Sequence, residues 1–184
     1  MITQHEPLVE QRVEAWLTQV VLGLNLCPFA HKPWRDGQVS IRVSAARSED
    51  EALADLQAEI TRLDDTGAQD LDTVLLVLPY LWPDFLDYND FLDVAEEALE
   101  HLERADTYQL ASFHPHYQFG GTAPDDAENL TNRAPYPILH VLRAASVAEA
   151  IARHPDTLDI PEHNIARVEG LSKAEVQRLF PWLS

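Results

Sequence analysis

Two stretches of the chain concentrate residue types that can do chemistry. The first begins at Phe113-His114-Pro115-His116-Tyr117-Gln118-Phe119-Gly120-Gly121, where two imidazoles leave an apolar run two residues apart. Pro115 biases the residue before it towards an extended conformation, and in an extended segment residues two apart face one side. His114 and His116 would then share a focus, a geometry suited to a divalent metal or a proton-transfer pair. A metal needs further ligands. Asp125, Asp126 and His140 are the nearest candidates, none at a diagnostic spacing, and Asp125 joins the two histidines as the provisional set. Zinc, iron or manganese would suit such donors. The competing reading makes the histidines loop residues with ordinary hydrogen bonds.

The same stretch continues as Asp125-Asp126-Ala127-Glu128-Asn129-Leu130-Thr131-Asn132-Arg133. Its carboxylates, amides and guanidinium could orient a polar substrate. Asp126 or Asp125 would supply a second acid/base group, with Tyr117, Asn129 and Asn132 as hydrogen-bonding contacts. Arg133 or Arg143 would clamp a carboxylate or phosphate. Against this stands a helical turn capped by Asp125, with Asn132 and Arg133 bonded to the backbone of a complex loop. His140 and Arg143 point to opposite faces of a regular strand, so one of them lines a given site. A lone histidine in an apolar strand reads first as a satisfied core residue.

The second stretch is Asn25-Leu26-Cys27-Pro28-Phe29-Ala30-His31-Lys32-Pro33-Trp34-Arg35. A thiol near His31, Lys32 or Arg35 could have a lowered pKa and act as nucleophile or ligand. A helix C-terminus before it disfavours the thiolate, and a second helix starting here would reverse that argument. Free cysteine is also a commonly buried residue type.

These stretches need a scaffold. Val9, Val13, Trp16, Leu17, Val20, Val21 and Leu24 recur at helical spacing and predict a helix over residues 6–22, with Thr3 and Glu6 as a capping box and Gly23 as a left-handed stop. Residues 39–43 alternate as a half-buried strand. Ser48 and Glu51 cap a helix with the stripe Leu53, Leu56, Ile60 and Leu63. Residues 73–78 form a continuous apolar run, the mark of a strand buried on both faces. Pro83 opens a helix to about Arg104 that buries Phe91, Leu92, Ala95, Leu99 and Leu102. Residues 107–113 and 138–142 are the last strands, and capping boxes at Ser146/Glu149 and Ser172/Glu175 introduce two short C-terminal helices. The order is α-β-α-β-α-β-β-α-α. It predicts an α+β (α/β-like) fold in one domain over residues 1–184, with a mixed four-stranded sheet covered by helices. Between His114 and Pro137 there is no periodicity, and connections that long are usually functional or disordered.

Composition narrows the partners. With 13 Lys+Arg against 31 Asp+Glu the net charge is −18, which disfavours nucleic acid and anionic membranes. Apolar runs are too short to span a bilayer. The start of the chain has no signal-peptide pattern, and Cys27 is the one cysteine, so a reducing cytoplasm is expected.

Asn25-Leu26-Cys27-Pro28-Phe29-Ala30, Phe113-His114-Pro115 with Phe119, Asp125-Asp126, Asn129, Asn132-Arg133 and Pro135-Tyr136-Pro137 through His140 and Arg143 form a motif set. In these motifs, over nearly its whole length, the chain resembles a bacterial family known as a domain of unknown function. The resemblance implies a stand-alone single domain and assigns no activity. The functional expectation is an enzyme for a small anionic or polar metabolite, with a site where Cys27-Pro28-Phe29 meets residues 113–143. His114, His116, Asp126 and Cys27 are the candidate catalytic groups. The alternatives are a non-catalytic ligand- or protein-binding module, or motifs that only stabilise an elaborate loop.

Overall fold

Thr73-Val74-Leu75-Leu76-Val77, buried throughout, is the central strand β2 (Thr73–Val77) of the computed structural model, which describes residues 6–153 and 159–183. A strand apolar on both faces must be covered on both. β1 (Val39–Val43) pairs beside it in parallel, with Ile41 opposite Leu75. β4 (Ile138–Arg143) pairs antiparallel on its other side, with His140 opposite Leu75. β3 (Tyr108–Phe113) lies outside β4 and antiparallel to it, so the order is β1-β2-β4-β3. β1, β2 and β3 therefore run the same way, and the last strand in the chain is inserted against them. This is the expected α+β architecture with its mixed four-stranded sheet.

α3 (Glu49–Asp65) and α4 (Phe85–His101) cover one face. Leu56, Ile60, Leu63, Phe91, Ala95 and Leu99 pack there on Val74, Leu76, Leu139 and Val141. Ser48 caps α3 by accepting the Glu51 N–H, while the Glu51 carboxylate reaches the Arg47 N–H rather than closing the box on Ser48. α4 starts two residues later than Pro83 suggests, because Asp84 is the cap and accepts the Leu86 N–H at 2.7 Å. The other face carries Leu75, Val77 and Ile138 under α1 (Glu6–Trp16), with Val168, Leu179 and Phe180 from the C-terminal region. Thr3, half of the expected first capping box, lies outside the described residues. Among the described residues no helix is long and apolar enough to cross a membrane.

Two local expectations give way. The C-terminal region has α5 (Ala144–Arg153), α6 (Ile160–Glu169) and α7 (Lys173–Leu179) instead of two helices. α5 follows β4 without a gap, so Ser146 is inside it and bonds Asp72, and only Ser172/Glu175 makes a capping box. A short α2 (His31–Arg35) was also missed, since five residues carry too little periodicity to register.

The second concerns Gly23. α1 does not stop there but widens into a π-helical turn over Leu17–Leu22, and Gly23 is right-handed at φ −63°. Asn25 takes the left-handed conformation instead, at φ 55°. Gly23 is required for space: a Cβ there would come within 2.2 Å of the Gln19 carbonyl oxygen. Gly120 has nothing within 4 Å of the same position. Gly23→Ala is expected to lower stability by about 1–3 kcal/mol, the usual cost of overpacking, and Gly120→Ala to stay within about 0.5 kcal/mol. Denaturant midpoints of the two variants check this; equal midpoints would show that the π turn relaxes freely.

Candidate functional site

The long connection is held by the residues expected to do its chemistry. The His114 ring is fully buried between Phe85 and Tyr88. Its Nε2–H donates to the Trp82 carbonyl at 2.9 Å, and its Nδ1 accepts the His116 backbone N–H at 3.0 Å. Both nitrogens are engaged, and burial pushes the ring pKa down, so His114 is a neutral clamp. The His116 side chain is exposed, its ring centroid 6.0 Å away. The two imidazoles thus share no focus: the N–H of the second residue closes on the ring of the first. Among the described residues no group of three or more His, Cys, Asp or Glu is arranged to hold a metal ion.

The polar run behaves the same way. Asn129, fully buried, donates to the Ala123 carbonyl and accepts from the Phe119 N–H and the Thr122 hydroxyl, each within 2.9 Å. Asn132 donates to the Ser112 carbonyl at 3.1 Å. Arg133 donates to the carbonyls of Tyr117 and Pro124, and burial lowers its pKa against the opposing pull of Asp125. Tyr117 packs its ring between Phe85 and Phe119. Asp126, not Asp125, stands at the N-cap of the short 3-10 turn Ala127–Asn132, and its side chain accepts the Ala123 N–H at 2.8 Å. A connection that dips into the protein must satisfy its own amides and carbonyls, and these side chains do so.

A cavity of about 560 Å³ opens elsewhere, on the face of the sheet covered by α1. Its floor is Thr73 and Leu75 of β2, His140 and Leu142 of β4, and Ala111 and Phe113 of β3. Successive strand residues alternate faces, so every second residue of these strands reaches it. Trp16 and Leu17 form one wall, and residues 27–30 with Trp34 form another. α5 supplies a third through Ser146, Val147 and Ala150, yet has no fully buried residue of its own. The floor reaches from Thr73 at the amino end of β2 to Phe113 at the carboxyl end of β3, where the connection departs.

The lining is mostly apolar, with Lys32, Gln38, Gln69, Gln109, Glu149 and Arg153 among its polar members and one bonded polar pair on its floor. The Thr73 hydroxyl donates to the Val141 carbonyl at 2.6 Å and has His140 Nε2 at 2.7 Å. With its proton committed to the carbonyl, the hydroxyl accepts, so Nε2 bears the hydrogen and Nδ1 a lone pair. Burial holds the His140 pKa at about 4, down from 6.5, so the ring is neutral near pH 7. Beside it Ser146 Oγ donates to Asp72 Oδ1 at 2.5 Å. Arg143 also borders the cavity, so the expectation that it and His140 cannot share a site does not hold; it ends β4 and sits at the rim. Its guanidinium turns away to the carbonyls of Leu63, Thr66 and Leu71, where it meets the negative end of α3.

Cys27 belongs to the wall. The start of α2 brings the Phe29 and Ala30 N–H groups to its sulfur, which favours the thiolate, but burial is the larger effect and raises the thiol pKa. Of the expected site residues, the structure brings Cys27, His140 and Arg143 to this cavity. It leaves His114, His116, Tyr117, Asp125, Asp126, Asn129, Asn132 and Arg133 outside its lining. The groups missed were Thr73, Trp16, Trp34 and Phe113. Thr73 opens one apolar strand and His140 interrupts the apolar run of another, and that was the available signal.

Residues 8–178 match the family described as Protein of unknown function (DUF1415), and the chain belongs to that family, as the motifs suggested. No curated protein and no solved structure matches the chain.

Removing the His114 ring should leave the Trp82 carbonyl and His116 N–H unpaired, so His114→Ala should cost about 3 kcal/mol or more. Exposed His116→Ala should cost less than about 0.5 kcal/mol. Comparable unfolding midpoints would contradict the clamp. The His140 shift carries its own sign. Between pH 6.5 and about 4 the unfolded chain binds a proton that the folded ring refuses. Its contribution, on the order of 3 kcal/mol, is complete above the higher value and lost as pH falls towards the lower. In His140→Gln that part of the acid sensitivity should vanish from denaturant midpoints; unchanged profiles would mean the ring is solvated.

Proposed function

We propose that this member of the family binds a small, predominantly apolar molecule in the cavity over Thr73, Leu75 and His140. The observation that carries the reading is the cavity's composition. Four aromatic side chains, Trp16, Phe29, Trp34 and Phe113, and the aliphatic Leu17, Leu75 and Leu142 make most of the lining, with a smaller polar share that includes Thr73 and His140 on the floor. Small-molecule sites combine these features: a concave, mostly apolar wall with a few polar groups to fix orientation. The volume, about 560 Å³, is in the range of such sites.

Binding without catalysis is favoured over an enzyme. A general base works best with a pKa near the operating pH, and His140, held at about 4, is a weak one. The Cys27 thiol is kept protonated by burial, which makes it a poor nucleophile. The guanidiniums expected to clamp an anion, Arg133 and Arg143, are occupied by backbone carbonyls. An anionic metabolite therefore has less to recommend it than an apolar one.

The test is a titration with the uncharged fluorescent probe N-phenyl-1-naphthylamine. Wild-type protein should bind it saturably at one site. Ala111→Trp, which projects an indole from the cavity floor, should weaken binding at least tenfold with the melting temperature retained. Undiminished binding by a folded Ala111→Trp would place the probe elsewhere and end the proposal.

A further inference from the structure

Resting on the reading of the cavity as a binding site, we infer that its ligand is an uncharged aromatic molecule bearing one hydrogen-bond donor, of the phenol or N–H heterocycle class, and that the donor meets Nδ1 of His140. The bonds of the Thr73–His140 pair on the cavity floor leave that pair a single free valence. Thr73 gives its proton to Val141 and takes one from His140 Nε2, so its hydroxyl is engaged in both directions. Nδ1 has no partner among the described residues. It is also not sealed: the buried side-chain atoms left without a partner are Glu59 Oε2, Arg62 Nε and Trp182 Nε1. An imidazole whose other nitrogen is fixed as the donor offers only a lone pair, and a lone pair selects a donor.

The pairing of the charges around the cavity weighs against a charged ligand. Lys32 is paired with Asp36 and Arg153 with Glu149. Arg143 is held by the carbonyls of Leu63, Thr66 and Leu71, and Asp72 by Ser146. An anion at the depth of His140 would meet a lone pair and no free cation. An ammonium group could pair only with Asp72, whose Oδ1 already accepts from Ser146, and burying a charge without a full partner is costly. The aromatic class follows from the walls. Trp16 packs edge-on against Phe113 with centroids 5.0 Å apart, and Phe113 lies 6.2 Å from the His140 ring. A flat ring lying against this cluster would meet aromatic faces and edges in the orientations such rings favour.

Isothermal titrations with four probes of one size decide the matter: 2-naphthol, 2-methoxynaphthalene, 2-naphthoate and 2-naphthylmethylamine. 2-Naphthol is expected to bind at least tenfold tighter than its methyl ether, which keeps the oxygen but lacks the donor, and tighter than either charged probe. His140→Gln places an amide where Nε2 was and has no atom at Nδ1. It should abolish the preference for 2-naphthol over the ether, bringing the ratio of their affinities from at least tenfold to about one. Equal binding of the naphthol and its ether to the wild type would overturn the donor inference while leaving the cavity as a site. Tighter binding of the naphthoate or the amine would overturn it in favour of a charged ligand. Failure of all four probes to bind would remove the site reading and this inference with it.

Discussion

The insertion of β4 between β2 and β3 is the constraint on which the rest of this structure depends. β3 is followed in sequence by the strand that must lie beside it, but β4 must also pair with β2 along Thr73–Val77. Phe113 and Ile138 pair directly, so a tight hairpin could join the two strands, yet the chain makes a far longer excursion. It travels through residues 114–137 before returning to the sheet. That path passes through buried ground, where unpaired backbone groups are costly. His114, Asn129, Asn132 and Arg133 meet the demand by bonding to main-chain atoms of Trp82, His116, Phe119, Ala123, Ser112, Tyr117 and Pro124. The density of polar motifs there is what a stitched connection needs.

The same insertion shapes the cavity. It brings His140 opposite Leu75 and puts Leu142 opposite Thr73, on strands that sequence separates by more than sixty residues. β4 also pairs Ala111 with His140, which completes the floor from the third strand. Helical cover on this face is uneven. Val9, Val13, Val20, Val21, Leu179 and Phe180 gather over Val77 and Ile138. At the opposite end of the strands the cover is α5 and the 25–35 segment, half-buried or exposed apart from Leu26. A sheet fully packed at one end and loosely roofed at the other has a cavity as its natural consequence.

These relations set what a reader of the sequence could know. The strands and long helices were legible because Val39, Ile41 and Val43, or Leu56, Ile60 and Leu63, carry periods that burial imposes directly. Strand order was not legible, since no local pattern records that β4 enters between two earlier strands. The site suffered from the same gap. A histidine followed two residues later by another looks like a pair of ligands only while the backbone between them is taken as extended. The turn that carries the His116 N–H to His114 Nδ1 breaks that premise. His140 was judged from its own strand, where it looks like core. Its significance comes from Thr73 on the neighbouring strand, a relation across 67 residues of sequence.

Trp16 joins the two halves of this argument. It is the last residue of α1 before the π turn, is almost fully buried, and lines the cavity. Its indole N–H donates to the Arg133 carbonyl at 3.0 Å, so the connection that inserts β4 is tied to the cavity wall through one side chain. Its ring makes a T-shaped contact with Phe113, the residue at which that connection departs. The π turn that follows adds an extra residue to the helical repeat. Leu17, Val20 and Val21 are thereby kept against the sheet while the chain turns towards Asn25 and Cys27. Gly23 allows the close approach to Gln19 that this turn requires. The wall of the cavity, the entry to the 25–35 segment and the anchorage of the long connection are thus set by a single stretch of helix. Both stretches of unusual sequence converge on it, one by lining the cavity it walls and the other by hydrogen-bonding to it.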